Sequence, residues 1–179
     1  MSPETPESPR VNLELLEAYC CTNYAVETPA GRHALRIGET NAAFDAWCAA
    51  EGIESWAFVT AANPYSQPFS PEENAARDSA LRALLETDGR RFWTGAGIPD
   101  RGDWEPEPSV LIANVSRGDA AAYGARFDQH AVVWGTRGAP AKLVLLSAVD
   151  DHVLAGAERH PERVVRWVAE RLRVWRGGT

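Results

Sequence analysis

Four polar residues interrupt segments that are otherwise apolar, and together they could carry out acid–base chemistry. Asn63 ends an apolar run, Asn74 and Arg77 fall in the helix predicted after it, and Glu107 enters a later strand. A buried glutamate can give or take a proton, and an arginine can stabilise developing negative charge. We therefore predict Glu107 and Arg77 as the catalytic residues if the protein is an enzyme, although the sequence indicates no particular reaction.

Further polar residues are expected to join these four in a ligand-binding pocket. An arginine that faces inward needs a carboxylate or a bound anion, because an unpaired internal charge costs several kcal/mol. We predict a small ligand, anionic or nucleotide-like, and we expect the residues to converge in space. The predicted ligand-binding residues are Asn63, Ser66, Asn74, Ser109 and Gln129.

Each of these residues also has a purely structural interpretation. Asn63 precedes Pro64, and this dipeptide commonly begins a turn. Arg77 and Glu107 could form a buried ion pair with no ligand. His130, which follows Gln129, could be an ordinary interior histidine. The sequence leaves the functional and the structural interpretations open.

The segments around Asn63 would place it at the end of a sheet. Residues 55–62, "SWAFVTAA", are apolar without alternation, which predicts a buried strand. The carboxyl end of a strand that leads into a helix is a common ligand position in open α/β sheets. Asn74, Arg77 and Leu81 are spaced i, i+3 and i+7, so the two polar residues should point towards the core.

The helix that carries Asn74 has the clearest start signal in the chain. Ser70 is predicted as the N-cap, Pro71 as the first helical residue and Glu73 as the third, which makes a capping box. Ser116 is predicted to begin a later helix, and Gly52 to end an earlier one in a left-handed conformation.

The order of predicted elements favours an α+β fold with one mixed, mostly antiparallel sheet covered by helices. Hairpins near residues 22–37 and 130–149 bracket the interleaved strands and helices, and residues 91–106 are predicted as a strand followed by a Gly-, Pro- and Asp-rich loop. We divide the chain into a disordered tail (1–11), a single α+β domain (12–150) and a helical extension packed on that domain (151–179).

Composition limits the classes of function. The chain has 179 residues, 45% of them hydrophobic, and a net charge of -7, which disfavours nucleic-acid binding. No apolar run approaches the roughly 18 residues that span a bilayer. The polar start "MSPETPESPR" lacks the features of a signal peptide, so we expect a soluble cytoplasmic protein without membrane contact.

No cofactor or metal is expected. "TGAGIP" lacks the third glycine and the following helix of a dinucleotide site, and neither "GKS" nor "GKT" occurs. The four histidines show no metal-binding spacing. The cysteines form no CxxC pair and are predicted to be free thiols.

The C-terminal extension supports an alternative function. Residues 161–179 contain five arginines and two glutamates, a local charge of +3, and their amphipathic pattern includes Trp167 and Trp175. Such a helix could bind a protein partner or RNA, which would make the chain an interaction module without catalysis. The opposing interpretation is that its apolar face packs on the chain's own sheet.

Several motifs taken together resemble one known family. These are "FVTAANPYS", the "EEN" and Arg77 of the following helix, "WEPEPSVLI" and "ARFDQHAVV". The set is similar to DUF3293, an uncharacterised bacterial family, over roughly residues 18–146. Ala62 stands where that family often has an aromatic residue, and the repeat in "EPEPS" leaves Glu105 and Glu107 as alternative matches. The resemblance implies that the motifs belong together, and it implies no activity.

Overall fold

The computed structural model describes residues 9–100, 104–150 and 153. Within these residues the chain forms four α-helices and seven β-strands. The helices are α1 (Leu13–Cys20), α2 (Ala42–Glu51), α3 (Pro71–Thr87) and α4 (Arg117–Arg126). The strands are β1 (Thr22–Thr28), β2 (Gly31–Leu35), β3 (Ser55–Thr60), β4 (Phe92–Pro99), β5 (Glu107–Ala113), β6 (Ala131–Thr136) and β7 (Lys142–Leu145). A 3₁₀ turn, Pro64–Ser66, lies between β3 and α3.

Local sequence signals start and end the helices as predicted. The Ser70 hydroxyl accepts a hydrogen bond from the Glu73 backbone N–H, and the Glu73 side chain accepts one from the Ser70 backbone N–H, so the capping box is formed. Ser116 caps α4 in the same way, through the backbone N–H of Asp119. Gly52 ends α2 with a φ of 67°, a conformation that glycine adopts without steric strain.

The sheet confirms the predicted α+β class. Its strand order is β2-β1-β4-β5-β3-β6-β7, and every neighbouring pair in that order is antiparallel. Hairpins join β1 to β2 and β6 to β7, as the sequence predicted. The sheet curls so far that its two edges touch, because Ile37, just after β2, forms a parallel bridge with Ala141, just before β7.

Both faces of the sheet are covered, which explains why the central strands are apolar without alternation. On β5, Leu111 packs in a cluster with residues of α1 and α2, whereas Val110 packs in a cluster with residues of α3 and α4. We call these the α1/α2 face and the α3/α4 face. Phe44 and Trp47 fill the first cluster, and Leu81 is among the residues that fill the second.

β4 runs through both glycines of "TGAGIP" to Pro99, so the loop after it is shorter than predicted. A side chain at Gly95 would place its Cβ 2.6 Å from the Ala25 carbonyl oxygen and 2.7 Å from the Phe58 ring. Glycine is needed there because Phe58 packs directly against the backbone of β4.

The chain ends lie largely outside the described residues. Residues 1–8 of the predicted tail, residues 151–152 and residues 154–179 of the predicted extension are among those not described. Val11 is buried and forms a parallel bridge with Val149. Over residues 9–100, 104–150 and 153, no helix is both long enough and apolar enough to cross a membrane. The three cysteines, all within this range, form no disulfide bond with one another.

Candidate functional site

The centre of the site is a hydrogen bond between two of the predicted residues, Asn63 and Glu107. Glu107 Oε1 accepts from Asn63 Nδ2 at 2.7 Å and from Trp104 Nε1 at 2.9 Å. Among the described residues, no donor bonds to Glu107 Oε2. Burial raises the pKa of Glu107, although the hydrogen bonds from Asn63 and Trp104 act in the opposite direction. A carboxyl in this environment holds its proton to higher pH than an exposed glutamate does.

The direction of the Asn63 side chain is fixed by its other contacts. Asn63 Oδ1 accepts from Asn74 Nδ2 at 2.9 Å and from the Phe69 backbone N–H at 3.0 Å. The Asn63 backbone N–H donates to Asn74 Oδ1 at 2.9 Å. Asn74 therefore holds Asn63 by two bonds, and Asn63 in turn positions Glu107.

Two further predicted residues hold the backbone just before Asn63. Arg77 Nε donates to the Ala61 carbonyl at 2.6 Å, and Gln129 Nε2 donates to the Ala62 carbonyl at 2.9 Å. With the bond from Asn63 to Asn74, three successive residues are each held by one polar side chain. The structure thus brings Asn74, Arg77 and Gln129 to the loop that carries Asn63.

Arg77 does not pair with Glu107, so the suggested ion pair between them is wrong. Its Nη2 donates to the Phe127 carbonyl at 2.6 Å and lies 3.4 Å from Asp128 Oδ2. A cation at this place stabilises the carbonyl end of α4. The physical reason for the error is the sheet itself: Arg77 is on α3, which covers the α3/α4 face, whereas Glu107 shares the opposite face with Leu111.

Two tyrosines lie near Glu107 on the α1/α2 face. The Tyr19 and Ser66 hydroxyls share a hydrogen bond of 2.9 Å, and the Tyr24 hydroxyl donates to the Tyr19 carbonyl at 2.8 Å. Burial raises the pKa of Tyr19 to about 12, the hydrogen bond with Ser66 opposes this, and the charge of Glu107 adds to it. Burial also raises the pKa of Tyr24. Both tyrosines therefore keep their protons at physiological pH.

A glycine, Gly97, lies between Glu107 and Tyr24 in the sheet. The strand register places Tyr24 opposite Gly97, and Gly97 opposite Glu107, so the three form one row across β1, β4 and β5. A Cβ built on Gly97 would meet, among the described residues, only the methyl group of Thr22, at 3.7 Å. We call this open position the Gly97 recess.

The remaining predicted residues have contacts that explain them structurally. Ser109 is only 2% exposed, and its hydroxyl donates to the Glu107 carbonyl at 3.0 Å. His130 Nδ1 is 2.8 Å from the Ser147 hydroxyl. Burial lowers the pKa of His130, which a hydrogen bond with the Tyr65 backbone partly offsets.

The backbone around the site is strained. Asn63, Tyr65 and Ser66 have φ values of 47°, 50° and 56°, and Asp128 has 56°. The two strained loops are joined, since the Tyr65 N–H donates to the Asp128 carbonyl at 2.7 Å. Left-handed conformations of non-glycine residues cost of order 1–3 kcal/mol each, and they cluster at functional sites.

Sequence reasoning missed several members of the site. Trp104 lies three residues before Glu107 in an irregular segment, and this closeness was the one available signal. Tyr19 reaches Ser66 from 47 positions away, and no local pattern predicts such a contact. Tyr65 and Asp128 matter through their backbone, which side-chain patterns do not reveal.

Two aromatic rings stand at the edges of the site. Phe69 is 39% exposed and Trp104 is 40% exposed, and they are the exposed large hydrophobic residues of the described part of the chain. Phe69 is bonded through its backbone to Asn63, and Trp104 through its indole to Glu107. The Phe69 backbone is therefore held beside Asn63, and the Trp104 ring is held beside Glu107.

Part of the chain matches the model of a known family. Residues 59–132 match the family model DUF3293, described as a protein of unknown function. This match confirms the resemblance to DUF3293. It covers less than half of the chain, within the region of roughly residues 18–146 that the motifs indicated. Neither the curated proteins nor the solved structures yielded a match.

The DUF3293 segment holds only part of the site. Asn63, Trp104 and Glu107 lie inside it, whereas Tyr19 and Tyr24 precede it. Over the described range, no three His, Cys, Asp or Glu side chains are grouped so that they could bind a metal. The arginine-rich helix predicted within residues 161–179 lies outside the described residues, so its role as an interaction module stays a prediction.

Proposed function

We propose that the chain binds a small polar ligand in the Gly97 recess, with Glu107 as the main contact. The observation that carries the proposal is the row of Tyr24, Gly97 and Glu107, in which polar side chains flank a position that has none. Ligand sites typically combine a recess with a few polar groups that are fixed in direction.

The hydrogen-bonding groups at the recess favour a ligand that carries an N–H or O–H donor for Glu107 and an acceptor for the Tyr19–Ser66 pair. Glu107 Oε1 already accepts from Asn63 and Trp104, which leaves Oε2 for a ligand. The hydroxyls of Tyr19 and Ser66 share one hydrogen bond, so one of their two protons remains to donate.

The charges favour a nucleotide-like ligand that places its neutral part, and not a phosphate, at Glu107. A deprotonated carboxylate repels an anion, and Arg77 is engaged with the carbonyls of Ala61 and Phe127. An anionic group would have to lie on the far side of the ligand from Glu107.

Each predicted residue has a role in this proposal. Asn63 orients the carboxyl of Glu107, and Asn74, Arg77 and Gln129 hold the loop that carries Asn63. Ser66 takes part through its bond with Tyr19, and Ser109 supports the strand of Glu107. If the ligand is chemically converted, Glu107 is the group that transfers the proton, since a carboxylate with a raised pKa takes up a proton more readily.

The test is a thermal-shift screen of the wild type and of two variants, Gly97→Val and Glu107→Gln. The panel contains nucleosides, nucleotides, monosaccharides, simple amines and inorganic phosphate. We expect at least one compound to raise the melting temperature of the wild type and to have a much smaller effect on both variants. Gly97→Val fills the recess without removing any polar group.

A matched control comes from the opposite end of β3. Glu54→Gln makes the same chemical change at a side chain that is 71% exposed and paired with Arg137, and it should respond like the wild type. The proposal fails if every compound that stabilises the wild type stabilises Gly97→Val to the same extent.

A further inference from the structure

Trp104 presents an aromatic surface that is held in place and still partly open. Its indole N–H donates to Glu107 Oε1 at 2.9 Å, which fixes the ring beside the carboxyl. The residue nevertheless remains 40% exposed. A fixed, exposed aromatic face next to a hydrogen-bonding group is suited to stack a flat ring such as a nucleobase.

Phe69 offers a second aromatic surface, on the Asn63 side of the site. Its backbone N–H donates to Asn63 Oδ1, and the Arg77 guanidinium carbon lies 5.9 Å from the centre of its ring. The hydrogen bond fixes the backbone of Phe69, and the guanidinium lies over its ring. Phe69 therefore offers a second exposed apolar surface to a flat ligand.

The hydrogen bonds of the site then select the edge of that flat ligand. Glu107 Oε2 can only accept while the carboxyl is ionised, so it requires an N–H or O–H donor. A carbonyl oxygen in the same place would face the carboxylate oxygen, and two acceptors repel each other. The side of a flat ligand that faces Glu107 therefore carries a donor such as an amino group, and not a lone keto oxygen.

From these observations we infer that the site takes a nucleobase with an exocyclic amino group, such as cytosine or adenine, which stacks on Trp104 and donates to Glu107 Oε2. The inference deepens the proposed function and rests on it. It gives Glu107 the task of distinguishing amino-bearing bases from keto bases, as carboxylates do when they accept from the amino group of cytosine.

The test measures binding of matched nucleosides to the full chain by titration calorimetry. Cytidine and uridine differ by an amino or a keto group at one ring position, with a bare or a protonated ring nitrogen beside it, and so do adenosine and inosine. We expect the wild type to bind the amino member of each pair at least about tenfold more tightly, the scale of one hydrogen bond to a charged group.

Variants connect this preference to particular side chains. In Glu107→Gln the amide can donate to a keto oxygen, so the preference for cytidine over uridine should shrink or reverse. Trp104→Leu should weaken binding of all four nucleosides, whereas Trp104→Phe should recover part of it because a stacking face is restored. Glu54→Gln should leave the preference unchanged.

The base could belong to a free nucleoside or nucleotide, or to a single strand of nucleic acid. Cytidine, cytidine monophosphate and a short single-stranded oligocytidylate, each at two salt concentrations, separate these sources. Salt-sensitive binding that is tightest for the oligonucleotide would assign the site to nucleic acid, because strand binding releases counterions. Equal or tighter binding of the monomers would assign it to a free ligand, as the net charge of -7 favours.

Equal affinity for cytidine and uridine, or no binding of any nucleoside at millimolar concentration, overturns the inference. The proposed function survives that result if another compound, such as glucosamine, binds the wild type and is lost in Gly97→Val. It fails as well if Gly97→Val alters the binding of no compound in the wider panel.

Discussion

Asn63 and Asn114 stand at opposite ends of the β3–β5 pair, and both have a left-handed backbone, with φ values of 47° and 49°. The amide of Asn114 bonds only to backbone, since it accepts from the Glu54 N–H at 2.8 Å and donates to the Gly52 carbonyl at 3.0 Å. The amide of Asn63 instead donates to the carboxyl of Glu107. The same residue type in the same backbone conformation therefore binds only backbone groups at one end of the strand pair, and it orients an ionisable side chain at the other end.

A second contrast, between two glycines of β4, shows where the packed core stops on the side of the sheet that carries Asn63. Gly95 and Gly97 are two residues apart on one face of β4. A Cβ at Gly95 would clash with the Phe58 ring and the Ala25 carbonyl, whereas a Cβ at Gly97 would meet, within the described part of the chain, only the Thr22 methyl, at 3.7 Å. The face therefore changes from packed core to recess within a single step along the strand.

The largest effect is expected for Gly95→Ala. The added methyl would lie 2.6 Å from the Ala25 carbonyl oxygen, which belongs to the backbone and cannot rotate away. We expect a loss of about 2–3 kcal/mol in the free energy of unfolding, typical of overpacking in a core. Urea unfolding measures it. An unchanged midpoint would show that Gly95 is not part of the tightly packed core.

Replacing either asparagine should have the next largest effect. Asn63→Ala and Asn114→Ala each remove side-chain hydrogen bonds and force alanine into a left-handed conformation, a combined loss of about 2 kcal/mol. Asn114→Gly should recover the backbone part of that loss but not the hydrogen bonds to Glu54 and Gly52. Urea unfolding at pH 7 compares the three variants. A loss in only one of the two alanine variants would break the parallel between the two ends.

The pH dependence of stability should distinguish the two ends more finely. The folded state raises the pKa of Glu107 above its ordinary value near 4.5. The contribution of Glu107 to stability is therefore fully present below its ordinary pKa and is lost as pH rises through the raised pKa. Measured by urea unfolding from pH 4 to pH 7, Glu107→Gln should gain stability relative to the wild type as pH rises.

The asparagine variants provide the control for this titration. The hydrogen bond from Asn63 lowers the pKa of Glu107, so Asn63→Ala should raise that pKa further and enlarge the loss of stability with rising pH. Asn114→Ala, whose amide contacts backbone only, should follow the wild-type dependence. The same pH profile in both variants would show that Asn63 does not tune Glu107.

The smallest effect on stability is expected for Gly97→Ala. Its Cβ would meet the Thr22 methyl at 3.7 Å, an ordinary contact distance. Alanine is favoured over glycine in a strand by about 0.5–1 kcal/mol, so the variant should be as stable as the wild type or slightly more stable. Thermal unfolding checks this. A marked loss of stability would show that the recess is in fact packed.

Short-range features of the fold were predictable from the sequence. The Ser70 and Ser116 caps and the end of α2 at Gly52 depend on residues within about one helical turn, and all three were confirmed. The antiparallel hairpins followed from turn signals in the same way.

The site was only partly predictable, because its contacts depend on which face of the sheet each residue occupies. The contact between Asn63 and Glu107 met the expected convergence. The pairing of Arg77 with Glu107 did not form, since a strand that is buried on both faces gives no sequence signal for the direction of Glu107. Trp104 and Tyr19 joined the site through contacts that only the folded chain creates.

The bridge between Ile37 and Ala141 has a consequence for behaviour at high concentration. Open edges of a sheet are templates on which a second copy can add strands and start aggregation. Here the two edge strands bend round until the Gly38 N–H donates to the Ala141 carbonyl at 2.7 Å, and the Ala141 N–H donates to the Glu39 carbonyl at 3.1 Å. These backbone groups are used within the same chain, so the curl shortens the stretch of open edge on which another molecule could add a strand.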